Sequence, residues 1–172
     1  VNQEIIAESK ENEKYAGMGT TFVAATVSDH KVTVMNIGDS RLYYGNKELK
    51  QITVDHSYVE ELINAGMLDS RQESTMPTSM ATTRSKTTVK KNVITRALGS
   101  QVATPDFFEF EAEEGYLLLC SDGLSNMISN DELKELLLDH DQIANKINKM
   151  IARANEYGGK DNISLVIVDL KR

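Results

Sequence analysis

One cysteine, Cys120, occurs in 172 residues, so the chain cannot form a disulfide within itself. Its place inside an apolar run suits a small packed hydrophobe in a reducing compartment. No apolar run approaches the roughly 20 residues that a bilayer span needs. No signal-like segment precedes the first polar residues, and the expectation is a cytoplasmic protein without a membrane partner. A basic patch is missing as well: 19 Lys and Arg stand against 26 Asp and Glu, a formal charge of −7. Phosphate contacts dominate nucleic-acid affinity, so no nucleic-acid partner is expected. No internal repeat is visible. What remains is 40% hydrophobic and 26% charged, the composition of an ordinary chain long enough for one domain.

Residues 1–15 read as a helix with few apolar positions, Ile5, Ile6 and Tyr15 among them. Gly17-Met18-Gly19-Thr20 breaks it. Two β-branched runs follow, 21–28 and 31–37, joined at Asp29-His30 as a hairpin. A second hairpin, 41–44 with 48–52, turns at Gly45-Asn46, and the four strands in meander order predict an antiparallel sheet. Residues 55–65 predict a helix capped by Asp55 or Ser57 and ended by Gly66. From 73 to 91 Ser, Thr, Met and Lys recur without period, which predicts a surface loop. Residues 106–111 alternate Phe107, Phe108 and Phe110 with acids, as a strand at a sheet rim does. The run 117–120, Leu-Leu-Leu-Cys, predicts a strand buried on both faces. Helices over 131–138 and 141–157 and a last strand over 162–170 complete an α+β chain.

Three aspartates stand at the ends of these core strands. Asp122 follows the buried run in Ser121-Asp122-Gly123, Asp39 follows the second strand in Gly38-Asp39-Ser40-Arg41, and Asp161 precedes the last strand in Gly159-Lys160-Asp161-Asn162. Hard oxygen donors converging at a sheet end suit Mg²⁺ or Mn²⁺. Asp is also favoured in turns and at helix caps, so the pattern alone leaves both readings open.

Six blocks then occur in order: G-M-G-T-T (17–21), N-I-G-D-S-R (36–41), T-V-D-H-S (53–57), V-I-T-R-A-L-G (93–99), L-L-C-S-D-G-L (118–124) and G-G-K-D-N-I-S (158–164). Together they resemble the bacterial metal-dependent protein serine/threonine phosphatases of type 2C, the PPM family. The resemblance implies a sandwich of two antiparallel β-sheets flanked by helix pairs, with residues 1–172 as one domain and 55–92 as a flap-like insertion within it. It implies two Mn²⁺ or Mg²⁺ ions, with Asp122 and Asp161 among their ligands and Asp39 at a third ion. Substrates would be phosphorylated Ser/Thr proteins, opposing a cognate bacterial kinase. By the same resemblance His56 and Arg41 are candidates for contact with substrate or flap. A structural role at a helix start is the alternative for His56.

Two of the family's motifs, Arg-x-x-Asn-x-Asp and Asp-Gly-x-Gly-Gly, do not occur in these residues. The resemblance gives the second motif the aspartate that bridges both ions. Three expectations follow: a C-terminal three quarters of a normal phosphatase domain, a chain completed by another copy or partner, or a degenerate module that binds phosphoproteins without turnover. Unpaired strand edges and exposed apolar faces are expected in each case.

Overall fold

The computed structural model describes residues 1–67, 79–81, 88–90 and 93–171. The chain divides into two compact units: Phe22–Asn36, Ser40–Val54 and Pro105–Arg172 form one, and Val1–Thr21, Ile37–Asp39 and Asp55–Thr104 form the other.

The first unit holds two sheets. Strands β1 (Phe22–Ser28), β2 (Lys31–Ile37) and β7 (Asp106–Glu111) form one, in the order β1-β2-β7. Strands β3 (Arg41–Gly45), β4 (Leu49–Gln51), β8 (Tyr116–Cys120) and β9 (Leu165–Asp169) form the other, in the order β4-β3-β8-β9. The antiparallel register sets Val34 opposite Phe108, Leu42 opposite Leu119, and Leu118 opposite Ile167. The two early hairpins therefore do not make one meander sheet. Gly38, at φ 108°, turns the chain after β2, and β3 pairs with β8 instead of β2. Strand order depends on partners distant in sequence, which local alternation does not encode.

Period-two alternation sorts the side chains of β8 into two cores. Leu117 and Leu119 face the other sheet, among Val32, Val34, Leu42, Phe108 and Phe110. Leu118 and Cys120 face a helical layer. Its members are α3 (Asp122–Ser125), α4 (Asn130–Leu138) and α5 (Ile143–Glu156), which contribute Leu124, Leu133, Leu137, Met150 and Ala154. The expected burial of the Leu-Leu-Leu-Cys run on both faces follows, because its sheet is covered on both sides. Cys120 is a free, buried thiol within it. Ser129 caps α4 by accepting from the Glu132 amide at 3.3 Å.

Within α5 the sequence conceals one position. Lys146 is fully buried, its Nζ donating to the Leu137 carbonyl at 2.6 Å and lying 3.8 Å from the Tyr116 ring centroid. The ammonium thus satisfies a carbonyl at the end of α4, where a cation also meets the negative end of the helix dipole. Its aliphatic stem fills core volume.

In the second unit, α1 (Asn2–Glu11) is followed by a 3₁₀ turn at Glu13–Tyr15. The Asn2 carboxamide accepts from the Gly99 amide at 2.6 Å, and Thr20 and Leu98 form an isolated bridge. Helix α2 (Tyr58–Asn64) is capped by Ser57, whose hydroxyl accepts from the Glu60 amide at 3.2 Å. Of the segment read as an irregular loop, most lies outside the described residues. Within it, β5 (Ser79–Ala81) and β6 (Thr88–Lys90) pair antiparallel, so regular structure occurs where none was expected.

Replacing Lys146 with alanine removes the carbonyl's partner and leaves a cavity. The expected loss is about 2–4 kcal/mol in urea-induced unfolding, larger than for truncating an exposed lysine of the same helix such as Lys149.

Candidate functional site

In the first unit, the pairing of β8 with β9 continues beyond both strand ends. The Ser121 amide donates to the Ser164 carbonyl at 2.9 Å. The Ser121 hydroxyl accepts from the Ser164 amide at 3.0 Å and donates to the Asn162 carbonyl at 3.1 Å. Ser121 is the N-cap residue of α3, but its hydroxyl is spent on this link and makes no cap bond. Gly123 lies so close to the Asn162 carbonyl that a side chain there would overlap it, with the Asp161 backbone in contact beside it. Gly123 and Ser121 together bring Asp122 and Asp161 to one place.

The electrostatics record that proximity. Burial pushes the Asp122 carboxyl above the ordinary aspartate range, and the charge of Asp161 pushes it further. The amides of Gly123 and of Asp122 itself, and the Arg41 guanidinium, act in the opposite direction. Asp122 Oδ2 accepts from the Asn126 carboxamide at 3.3 Å, one helical turn on. Asp161 Oδ1 accepts from the Asn162 amide at 2.7 Å. Arg41 opens β3 directly opposite Cys120 in register, and its Nη1 donates to the Tyr43 hydroxyl at 3.1 Å. It is the cation that the strand order places beside Asp122. Asp122 is thus not the helix-cap residue of the simpler reading; it occupies the first helical position.

Asp39 belongs to the second unit, where its neighbour Gly38 is held by His56. The Gly38 amide donates to His56 Nδ1 at 3.1 Å, and the His56 amide donates back to the Gly38 carbonyl at 3.0 Å. His56 is 5% exposed. Nδ1 is thus an acceptor, and Nε2 lies 3.4 Å from Arg96 Nη1. The ring therefore braces the Gly38-Asp39 turn, while the cap of α2 is left to Ser57.

Two carboxylates of like charge with hard oxygen donors are a fit for a small divalent cation, and the penalty on Asp122 is of the kind a cation relieves. Among the described residues no three His, Cys, Asp or Glu side chains gather as a complete ligand set. Asn126 and Arg96 were missed by sequence reading. The four-residue spacing from Asp122 to Asn126 is visible in a helix, whereas the meeting of Arg96 with His56 is a long-range contact with no local signal.

The sequence pattern of the family described as protein phosphatase 2C matches residues 1–166. The serine/threonine phosphatase Stp of Listeria monocytogenes is 37% identical, over 98% of this chain and 64% of that protein. The protein phosphatase PhpP of Streptococcus pneumoniae is 35% identical, over 99% of this chain and 65% of its own length. The chain thus spans less than two thirds of these curated relatives. Among solved structures, the Mycobacterium tuberculosis serine/threonine phosphatase PstP superposes with a TM-score of 0.86 at 31% identity, over 99% of this chain and 68% of that one. A catalytic domain of PstP in complex with two manganese ions gives 0.80 at 30% identity, over 98% of this chain and 66% of its own.

Two substitutions test the geometry. Gly123→Ala should cost about 1–3 kcal/mol in unfolding free energy, because the obstacle is main chain and cannot rotate away. Asp122→Asn should do the reverse without metal, raising the melting temperature by less than about 3 °C at neutral pH, since it removes a half-buried charge facing another. A fall in melting temperature would show that the two carboxylates do not oppose each other.

Proposed function

This chain belongs to the protein phosphatase 2C family, and we propose that it carries metal-binding residues of a divalent-metal-dependent protein serine/threonine phosphatase. The observation that carries the reading is the Asp122–Asp161 pair, joined through Ser121 and Gly123 at the end of β8. Asp122 and Asp161 would hold two Mn²⁺ or Mg²⁺ ions, with Asp39 a ligand of a third. When bound, such ions lower the pKa of a water and neutralise phosphoryl oxygens.

The chain's own residues supply placement. The Ser121 link fixes the separation of the two carboxylates, and Asn126 holds one oxygen of Asp122 in orientation. His56 sets the backbone from which Asp39 projects. Arg41 balances negative charge beside Asp122 and is a candidate to meet a substrate phosphate. No side-chain nucleophile is required, in keeping with the burial of the single cysteine.

The substrates in this reading are proteins phosphorylated on serine or threonine, opposing a cognate bacterial kinase, in the cytoplasm. No helix among the described residues is long and apolar enough to cross a membrane. We take both units as parts of a single phosphatase domain and residues 55–92 as a flap-like segment. A non-catalytic binding module has less support, since a chain without metal chemistry gains nothing from two mutually repelling carboxylates.

The test is Mn²⁺-dependent hydrolysis of a phosphothreonine peptide, with Mn²⁺ binding followed by calorimetry. Asp122→Asn should lower both the turnover and the Mn²⁺ affinity by at least about tenfold. Equal turnover and equal affinity for the two proteins would end the catalytic reading.

A further inference from the structure

The sequence blocks 17–21 and 93–99 hold none of the three aspartates, yet in the second unit both close on the turn that carries Asp39. Residues 93–98 form a strap with backbone bonds at each end. At one end the Tyr58 amide donates to the Val93 carbonyl at 2.9 Å, and the Thr95 amide donates to the His56 carbonyl at 2.8 Å. At the other end Leu98 and Thr20 exchange two backbone bonds, each 2.9 Å. The strap thereby fixes two groups at once, the His56 ring and the Thr21 side chain next to Thr20. Both meet Gly38. The ring accepts from the Gly38 amide at 3.1 Å. Thr21 packs against the Gly38 Cα so tightly that a Cβ there would stand 2.6 Å from Thr21 Cβ and closer still to its Cγ2. The next residue is Asp39, whose direction out of the turn is set by the conformation of Gly38.

We propose that Thr21 is a positioning residue for Asp39. Its Cγ2 methyl, together with the His56 ring, holds the Gly38-Asp39 turn in the conformation that presents the carboxylate to a divalent cation. The proposal rests on the reading of Asp39 as a metal ligand. A small hard cation tolerates little departure from its ligand geometry, so a carboxylate on a loose turn binds it more weakly. Because the contact is made by a methyl, shape decides it: Thr21→Val keeps a methyl for Gly38, whereas Thr21→Ser removes it.

The test follows Mn²⁺ binding to the 172-residue chain by calorimetry, in a double-mutant cycle with Asp39→Asn. Thr21→Ser should lower the Mn²⁺ affinity about tenfold, and Thr21→Val should leave it as in the parent. In the Asp39→Asn background Thr21→Ser should change the affinity by less than about twofold, because the ligand it positions is gone. A general loss of structure would instead lower the affinity in both backgrounds, and that outcome would overturn the proposal. Without metal, the Gly38 amide should exchange its hydrogen faster in Thr21→Ser while the Ser121 amide keeps its parental rate; an unchanged Gly38 rate would also overturn it. Equal losses in Thr21→Ser and Thr21→Val would show that the methyl is not the cause. Parental affinity in Asp39→Asn would remove Asp39 from the ligands and the proposal with it. If Asp39→Asn loses affinity and Thr21→Ser does not, the metal reading stands and the proposal alone fails.

Discussion

The candidate site depends on one interaction, the continuation of the β8–β9 pairing past the strand ends through Ser121. Two strands bonded side by side fix direction and register, but their loops are free to diverge. The hydroxyl of Ser121, bonded to both Asn162 and Ser164, prevents that divergence. Gly123 permits it to be prevented, since any larger residue would force the segments apart. Asp122 is thereby attached to a central strand of its sheet, with Leu117 and Leu118 wholly inaccessible beneath it. A carboxylate on such a base moves little, which is what a ligand for a small hard cation requires.

That rigidity has an energetic cost which the fold does not hide. Burial and Asp161 both disfavour the charged form of Asp122, and Arg41 and two amides only partly offset them. A fold selected for stability alone would separate the two aspartates or neutralise one. The arrangement makes sense where binding a cation repays the repulsion. Asp39 is handled differently, through a turn whose glycine is bonded in both directions to His56. Rigid strand and braced turn are two routes to the same end.

Much of this was legible in the sequence, and the misses have physical causes. The aspartates could be found because strands end where apolar alternation stops and glycine begins, a local signal. The α2 and α4 caps could be found for the same reason, since Ser57 and Ser129 each precede a helix by one residue. The division of the early strands between two sheets could not, because β3 chooses β8 as a partner from more than seventy positions away. Lys146 was hidden by its own chemistry. A charged residue on a helix is assigned to solvent by default, and only the positions of the Leu137 carbonyl and the Tyr116 ring reveal why this one turns inward. The last strand misled in the opposite sense. Its run of Leu165 to Val168 is apolar throughout, yet Val166 and Val168 are exposed.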